Sequence, residues 1–187
     1  MTIVVATHNP GKAREHARLL ETREIQVKTL ADCGVTEVPE ETGTTFLENA
    51  RIKARAAMEA TGLLSLADDS GLCVDALGGA PGVQSARFTE PGQRTQTLLR
   101  MMEGETNRKA RFVCAVALVY PDGREVTAEG TCEGEITLEP RGTNGFGYDP
   151  VFFIPALGRT MAEMTSEEKD ALSHRGAALR QLLEKLS

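Results

Sequence analysis

The chain contains no tryptophan, 2 tyrosines and 6 phenylalanines among 187 residues. With so few aromatic rings, any that stand in a loop are informative. Histidine is as scarce, with 3 in the chain. The 4 cysteines, Cys33, Cys73, Cys114 and Cys132, form no Cys-x-x-Cys pair and have no histidine at zinc-ligand spacing. That pattern excludes the common zinc frameworks and offers no disulfide scaffold, so reduced thiols are expected. Cys114, inside Phe112-Val113-Cys114-Ala115-Val116-Ala117-Leu118-Val119, reads as a small hydrophobe. No apolar run approaches the ~20 residues that span a bilayer, and no basic region precedes an apolar segment at the N-terminus. A cytoplasmic protein is the expectation. The formal net charge of −6 leaves no broad basic face for a nucleic-acid duplex. A small anion held by a few converging lysines and arginines remains compatible with it.

What is present is ordinary globular composition, 41% hydrophobic and 26% charged. The length suits one domain over residues 1–187, with no low-complexity tract, internal repeat or long linker. Patterning predicts strands at 2–6 and 25–30, helices over about 11–22 and 45–61, and a short strand at 64–68. A Gly-rich loop at 70–82 precedes a helix over about 92–103 and strands near 110–120 and 124–134. An irregular segment at 135–167 and a helix over about 170–186 close the chain. Early strand–helix alternation predicts parallel pairing, and Tyr120-Pro121-Asp122-Gly123-Arg124 is a hairpin signal. The expected class is α/β, a mixed β-sheet flanked by helices.

The stretch Thr2 to Lys12 is the most informative. An apolar strand breaks into Thr7-His8-Asn9-Pro10-Gly11-Lys12, which opens a helix with Ala13, Ala17, Leu19 and Leu20 on one side and Arg14, Glu15 and Arg18 on the other. Such a junction directs unpaired backbone N–H groups and the positive helix end at one point, where Lys12 adds a full charge, and the fitting guest is phosphate. The Walker A spacing is absent. The same residues also suit an ordinary strand-to-helix turn with a surface lysine.

Two acidic groups follow. Glu40 and Glu41 lie in Pro39-Glu40-Glu41-Thr42-Gly43, ahead of Thr45 and Glu48 at capping-box spacing, so Glu48 has a local role and the other two do not. Lys53 falls on the expected solvated face of the long helix. Asp68 and Asp69 end an apolar strand, where α/β sheets place ligands, and their side chains point to opposite faces, so they should do different jobs. Hard oxygen donors with few imidazoles favour Mg²⁺ or Mn²⁺ over zinc. Asp69-Ser70-Gly71 equally suits a turn.

Near the C-terminus, Gly145-Phe146-Gly147-Tyr148-Asp149-Pro150 places two of the chain's few aromatic rings in a glycine-rich loop, a stacking surface for a base. Lys169 and Arg175 supply cations, and His174 donates or accepts. Ser173-His174-Arg175 alone would read as the polar face of a terminal helix.

Together these segments resemble the Ham1-like inosine triphosphate pyrophosphatase family over essentially the whole chain. The matching elements are Thr7 to Lys12, Glu40-Glu41-Thr42-Gly43, Phe46-x-Glu48-Asn49-Ala50, Ala67-Asp68-Asp69-Ser70-Gly71-Leu72, Leu77 to Gly82, Ser85-Ala86-Arg87-Phe88, Gly145 to Pro150 and Ser173-His174-Arg175. The resemblance implies an elongated mixed α/β fold of two lobes around a central nucleotide cleft, usually a homodimer. It also implies Mg²⁺-dependent cleavage of ITP, dITP and XTP between the α- and β-phosphorus, giving monophosphate and pyrophosphate. Carried over, Thr7, His8, Asn9, Pro10, Gly11 and Lys12 would hold the triphosphate, and Glu40 with Asp69 the metal. Asp69 would accept the proton of the attacking water. Ser70, Phe146, Gly147, Tyr148, Asp149, Lys169, His174 and Arg175 would complete the nucleotide site. Lys53 would share the neutralisation of the phosphates.

Overall fold

Strand β1 (Thr2–Val5) carries apolar side chains on both faces, and both are covered in the computed structural model, which describes residues 1–21 and 24–186. Ile3 and Val5 join one buried cluster, Val4 and Ala6 another. The same division holds in β4 (Lys109–Val119), where Cys114, Val116 and Leu118 face the first cluster and Ala117 and Val119 the second. An apolar run buried on both sides is the signature of an interior strand.

The strands form one seven-stranded sheet in the order β2-β1-β3-β4-β5-β6-β7. Here β2 is Gln26–Thr29, β3 Ser65–Val74, β5 Glu125–Ile136, β6 Phe152–Ile154 and β7 Arg159–Thr160. β1 pairs in parallel with β2 and β3, as the alternation predicts, whereas β5, β6 and β7 pair antiparallel. β4 and β5 are joined by the expected hairpin, closed by Tyr120 N–H to Arg124 O at 2.9 Å and Gly123 N–H to Tyr120 O at 2.9 Å. The helices are α1 (Pro10–Glu21), α2 (Phe46–Thr61), α3 (Arg94–Met101), α4 (Ser166–Leu172) and α5 (His174–Lys185). The predicted end of α1 at residue 22 lies outside the described residues.

The chain divides into two compact units that interleave in sequence. Unit 1 comprises Met1–Asp69, Cys114–Gly130 and the chain from Arg175 onward; unit 2 comprises Ser70–Val113 and Thr131–His174. Within unit 1, Ala178, Leu179, Leu182 and Leu183 of α5 cover the Ile3, Val5 and Leu66 face, and Ala50, Ala54 and Ala57 of α2 cover the Val4 and Ala67 face. Alanines on that stripe let the α2 backbone approach the strands closely. The capping box at α2 is present as predicted, Thr45 Oγ1 accepting from Glu48 N–H at 3.1 Å. Unit 2 has its own core, including Leu72, Leu98, Met102, Phe112, Tyr148, Phe152 and Met161.

Three boundaries differ from the sequence reading. β3 does not stop at residue 68 but runs to Val74, so Asp69-Ser70-Gly71 is strand and not turn. Turn propensity loses because Asp68 and Asp69 both find polar partners that offset their burial. The predicted helix over 170–186 is two helices, broken at Ser173, whose extended backbone (φ −69°, ψ 158°) separates α4 from α5. The segment 135–167 is not wholly irregular, since it contains β6 and β7.

Candidate functional site

In unit 1 the strand-to-helix junction is capped from within. Asn9 Oδ1 accepts from Gly11 N–H at 2.9 Å and Lys12 N–H at 3.2 Å, and Thr7 Oγ1 accepts from Asn9 N–H at 3.1 Å. Pro10 has no N–H to give. The expected unpaired backbone donors are therefore largely satisfied by the Asn9 cap, and the attraction for an anion rests on the helix end and the Lys12 ammonium. His8, Asn9 and Pro10 are exposed, Thr7 is half-buried, and Gly11 is buried.

Lys12 Nζ lies 3.1 Å from Asp68, whose carboxylate also faces His16 Nε2 at 3.1 Å and Arg175 Nη2 at 3.1 Å. Glu15 pairs with Arg175 Nη1. The α1 face read as solvated thus includes one residue, Glu15, that is 4% exposed. Ser173, His174 and Arg175 are likewise buried rather than a polar helix face, Arg175 being 1% exposed. Burial opposes the charge on Asp68, but Lys12 and Arg175 outweigh it and hold this carboxyl well below the usual range.

Asp69, on the opposite face of β3, meets different partners. Asn49 Nδ2 donates to its Oδ2 at 3.1 Å, and Lys53 Nζ stands 3.8 Å from its Oδ1. Asn49 Oδ1 accepts from Gly43 N–H at 2.8 Å, so one buried amide joins the acidic loop to Asp69. A Cβ at Gly43 would lie 2.6 Å from Glu48 Cβ and 2.7 Å from Asn49 Oδ1, which is why glycine stands there. Lys53 is not on a solvated face: its side chain is 16% exposed and its ammonium binds Glu41 at 2.7 Å. Glu40 is exposed and has no hydrogen bond or ion pair among the described residues. Burial raises the pKa of Asp69 above the ordinary carboxylate value, only partly countered by Lys53 and Lys12. A carboxylate raised in this way is a better proton acceptor than its neighbour.

In unit 2, Asp149 accepts from Lys169 Nζ at 2.6 Å and from Phe146 N–H at 3.1 Å, and both members of the ion pair are buried. The Lys169 ammonium sits 4.6 Å from the centre of the Phe146 ring. Tyr148 does find a core: it is buried and donates its hydroxyl to Ser85 O at 2.7 Å, leaving the half-buried Phe146 as the loop's accessible ring. His174 stacks on Phe112, ring centres 4.7 Å apart and 16° between planes. Ser70 is half-buried and Gly147 exposed.

The structure therefore brings Lys12 and Arg175 together on Asp68, Lys53 and Asp69 together beside Glu41, and Phe146, Asp149 and Lys169 together in unit 2. Asn49, His16 and Glu15 were given no role by the sequence reading, and Asp68 only a job different from that of Asp69. The signal for Asn49 was present, since it is a polar residue on the Ala50, Ala54 and Ala57 stripe of α2. The other three depend on long-range pairing.

Among the described residues no group of three or more His, Cys, Asp or Glu side chains could hold a metal ion. A cation completed by substrate phosphates needs only one or two carboxylates. Asp69 Oδ1 has Lys53 beyond hydrogen-bond distance, and the exposed Glu40 has no hydrogen bond or ion pair among the described residues.

A mixed α/β sheet thus carries an acidic pair in its third strand, with Lys12 on Asp68 and Lys53 near Asp69. The Ham1 family model matches residues 3–185, and the chain belongs to that family. It is 50% identical over 186 residues to the dITP/XTP pyrophosphatase of an Exiguobacterium species, covering 97% of this chain and 95% of that one. It is 52% identical over 190 residues to the enzyme of the same name from Thermus thermophilus, with 98% and 91% covered. Among solved structures, a HAM1 protein from Coxiella burnetii superposes with a TM-score of 0.89 at 45% identity, covering 100% of this chain and 98% of that one.

Proposed function

We propose that the protein hydrolyses nucleoside triphosphates of deaminated purines, ITP, dITP and XTP, to the monophosphate and pyrophosphate, keeping these bases out of DNA and RNA. The observation that carries this is the division of labour on β3: Asp68 is surrounded by Lys12, His16 and Arg175, while Asp69 next to it has Asn49 on one oxygen and Lys53 only at 3.8 Å from the other. Names of relatives at about half identity support the substrate class.

The water oxygen attacks the α-phosphorus, the bond to the α–β bridging oxygen breaks, and pyrophosphate leaves. Asp69 accepts the water's proton. Lys12 and Lys53 neutralise the polyanion, aided by the end of α1 and by Thr7, His8, Asn9, Pro10 and Gly11 along the junction. Glu40 and Asp69 would hold Mg²⁺, which when bound supplies charge neutralisation and a more acidic water. Asn49 orients Asp69 through its amide. Ser70 adds a hydroxyl at the same strand.

For the base, Phe146 is the stacking ring, in a loop with Gly147, Tyr148 and Asp149 that Tyr148 and Asp149 anchor, with Lys169 and His174 as the basic residues of that unit; Arg175, which the resemblance also assigns to the nucleotide, is held in unit 1 by Asp68 and Glu15. Hypoxanthine and xanthine present a 6-oxo acceptor where adenine presents an amino donor, so a donor-lined site leaves buried groups unpaired against ATP. Each such mismatch costs ~1–3 kcal/mol, and several combine to exclude ATP. The protein is proposed to act in the cytoplasm as a homodimer. No helix of the described residues is long and apolar enough to cross a membrane.

Pyrophosphate release from ITP, ATP and dTTP, measured side by side with Mg²⁺, tests the reading. ITP should lead by orders of magnitude. Preference for dTTP would assign a pyrophosphatase of pyrimidine or modified nucleotides, and binding without turnover a regulatory nucleotide module.

A further inference from the structure

Asp68 takes more donors than a metal ligand or a proton acceptor can. His16 Nε2 lies 3.1 Å from Oδ1, while Oδ2 is 3.1 Å from Lys12 Nζ, 3.1 Å from Arg175 Nη2, 3.4 Å from Arg175 Nε and 3.8 Å from Cys114 Sγ. These donors come from α1, β4 and α5, and the Asp68 side chain is 1% exposed. No side of this carboxylate is left for water. Lys12 and Arg175 converge on one oxygen, where two cations without an anion between them repel. Arg175 has Glu15 as a second anchor, so its place is determined twice. Lys12 is 16% exposed at the side chain and reaches the surface from this buried carboxylate.

We propose that Asp68 is a positioning residue: it tethers the Lys12 ammonium to the buried, doubly paired Arg175 and so fixes the point from which Lys12 meets substrate phosphate. The proposal rests on the reading of Lys12 as a phosphate ligand. It separates the two aspartates completely, Asp69 for the reacting water and Asp68 for the geometry of a cation. Lysine is a point charge on a flexible stem, and a bound lysine loses rotamer freedom; holding it in place before the substrate arrives removes that loss from the binding step.

Inorganic tripolyphosphate, which carries the phosphates and no base, is the probe, read as its competitive inhibition constant against ITP hydrolysis. Lys12→Ala should weaken it about 10-fold or more, and Asp68→Asn should weaken it by a comparable factor. The double variant should be no weaker than Lys12→Ala alone, because Asp68 acts through Lys12. Losses that multiply would overturn the proposal and assign Asp68 a general structural role. If Lys12→Ala leaves inhibition unchanged, the phosphate assignment of Lys12 is what fails, a result distinct from multiplying losses. Should Asp68→Asn not fold, ¹⁵N-lysine spectra of the parent protein decide: the ammonium signal missing from Lys12→Ala must show slowly exchanging protons. Rapid exchange at that signal would overturn the tether.

Discussion

Asp68 and Asp69 are adjacent in β3, yet their carboxylates are pushed in opposite directions, Asp68 toward stronger acidity by Lys12 and Arg175 and Asp69 toward weaker acidity by burial. The cause is the alternation of a strand, which sends one side chain among three basic residues of α1 and α5 and the other beside Asn49 and a more distant Lys53.

Asp69→Asn retains shape and can still bond Asn49, but it loses the proton acceptor. Turnover of ITP should fall by ~10²-fold or more with an unchanged circular dichroism spectrum and melting curve. Near-parental turnover at saturating Mg²⁺ would remove Asp69 from the chemistry.

Glu40 and Glu41 should separate on mutation. Glu40→Gln removes an exposed carboxylate with no partner among the described residues, so it should raise the Mg²⁺ concentration for half-maximal activity while leaving thermal stability unchanged. Glu41→Gln removes the nearer of the two anions around Lys53, and should raise the KM for ITP more than the metal requirement. A Mg²⁺ titration at fixed ITP and an ITP titration at fixed Mg²⁺ distinguish the two, and identical behaviour would defeat the assignment.

Gly145 is strained for any other residue. Its φ is +69°, and a Cβ there would stand 2.1 Å from Asp149 Oδ2, the oxygen that receives Lys169 and Phe146 N–H. Gly145→Ala should therefore lower the melting temperature and weaken ITP binding together. Asp149→Asn breaks the buried Lys169–Asp149 ion pair, which costs ~3–5 kcal/mol of stability by the usual penalty for breaking a buried pair. Chemical denaturation measures both, and an Asp149→Asn protein as stable as the parent would contradict the role given to this pair.

His16 links stability to pH. Burial lowers its pKa below the ordinary 6.5 even though Asp68 accepts from its ring. The unfolded chain then takes up a proton near pH 6.5 that the folded protein refuses, so the contribution is constant above that pH and stability declines as pH falls below it, by at most ~1.4 kcal/mol per unit. His16→Gln should flatten the fall in melting temperature between about pH 6.5 and 5. Parallel curves for parent and variant would show that His16 does not titrate across unfolding.

Local features were legible in the sequence because their causes are local. The Thr45 and Glu48 capping box, the Tyr120 to Arg124 hairpin and the two-sided burial of β1 follow from residues a few positions apart. Thr7 to Lys12, the acidic loop, Asp69 and the glycine-rich loop were grouped through the family resemblance that their motifs carry together. The sequence by itself determined most of the elements and the residue types in the segments proposed to carry the chemistry, but not β6, β7 or the break at Ser173. Only the tertiary structure decided what each residue is bound to. Arg175 meets Asp68 across 107 positions and Glu15 across 160, and no periodicity encodes such a pairing. Those pairings in turn overrode local propensity: polar partners let β3 continue through Asp69-Ser70-Gly71, and the break at Ser173 precedes a buried His174 and Arg175. Burying a charge is tolerable only beside its counter-charge, and which counter-charge stands there is a property of the folded chain.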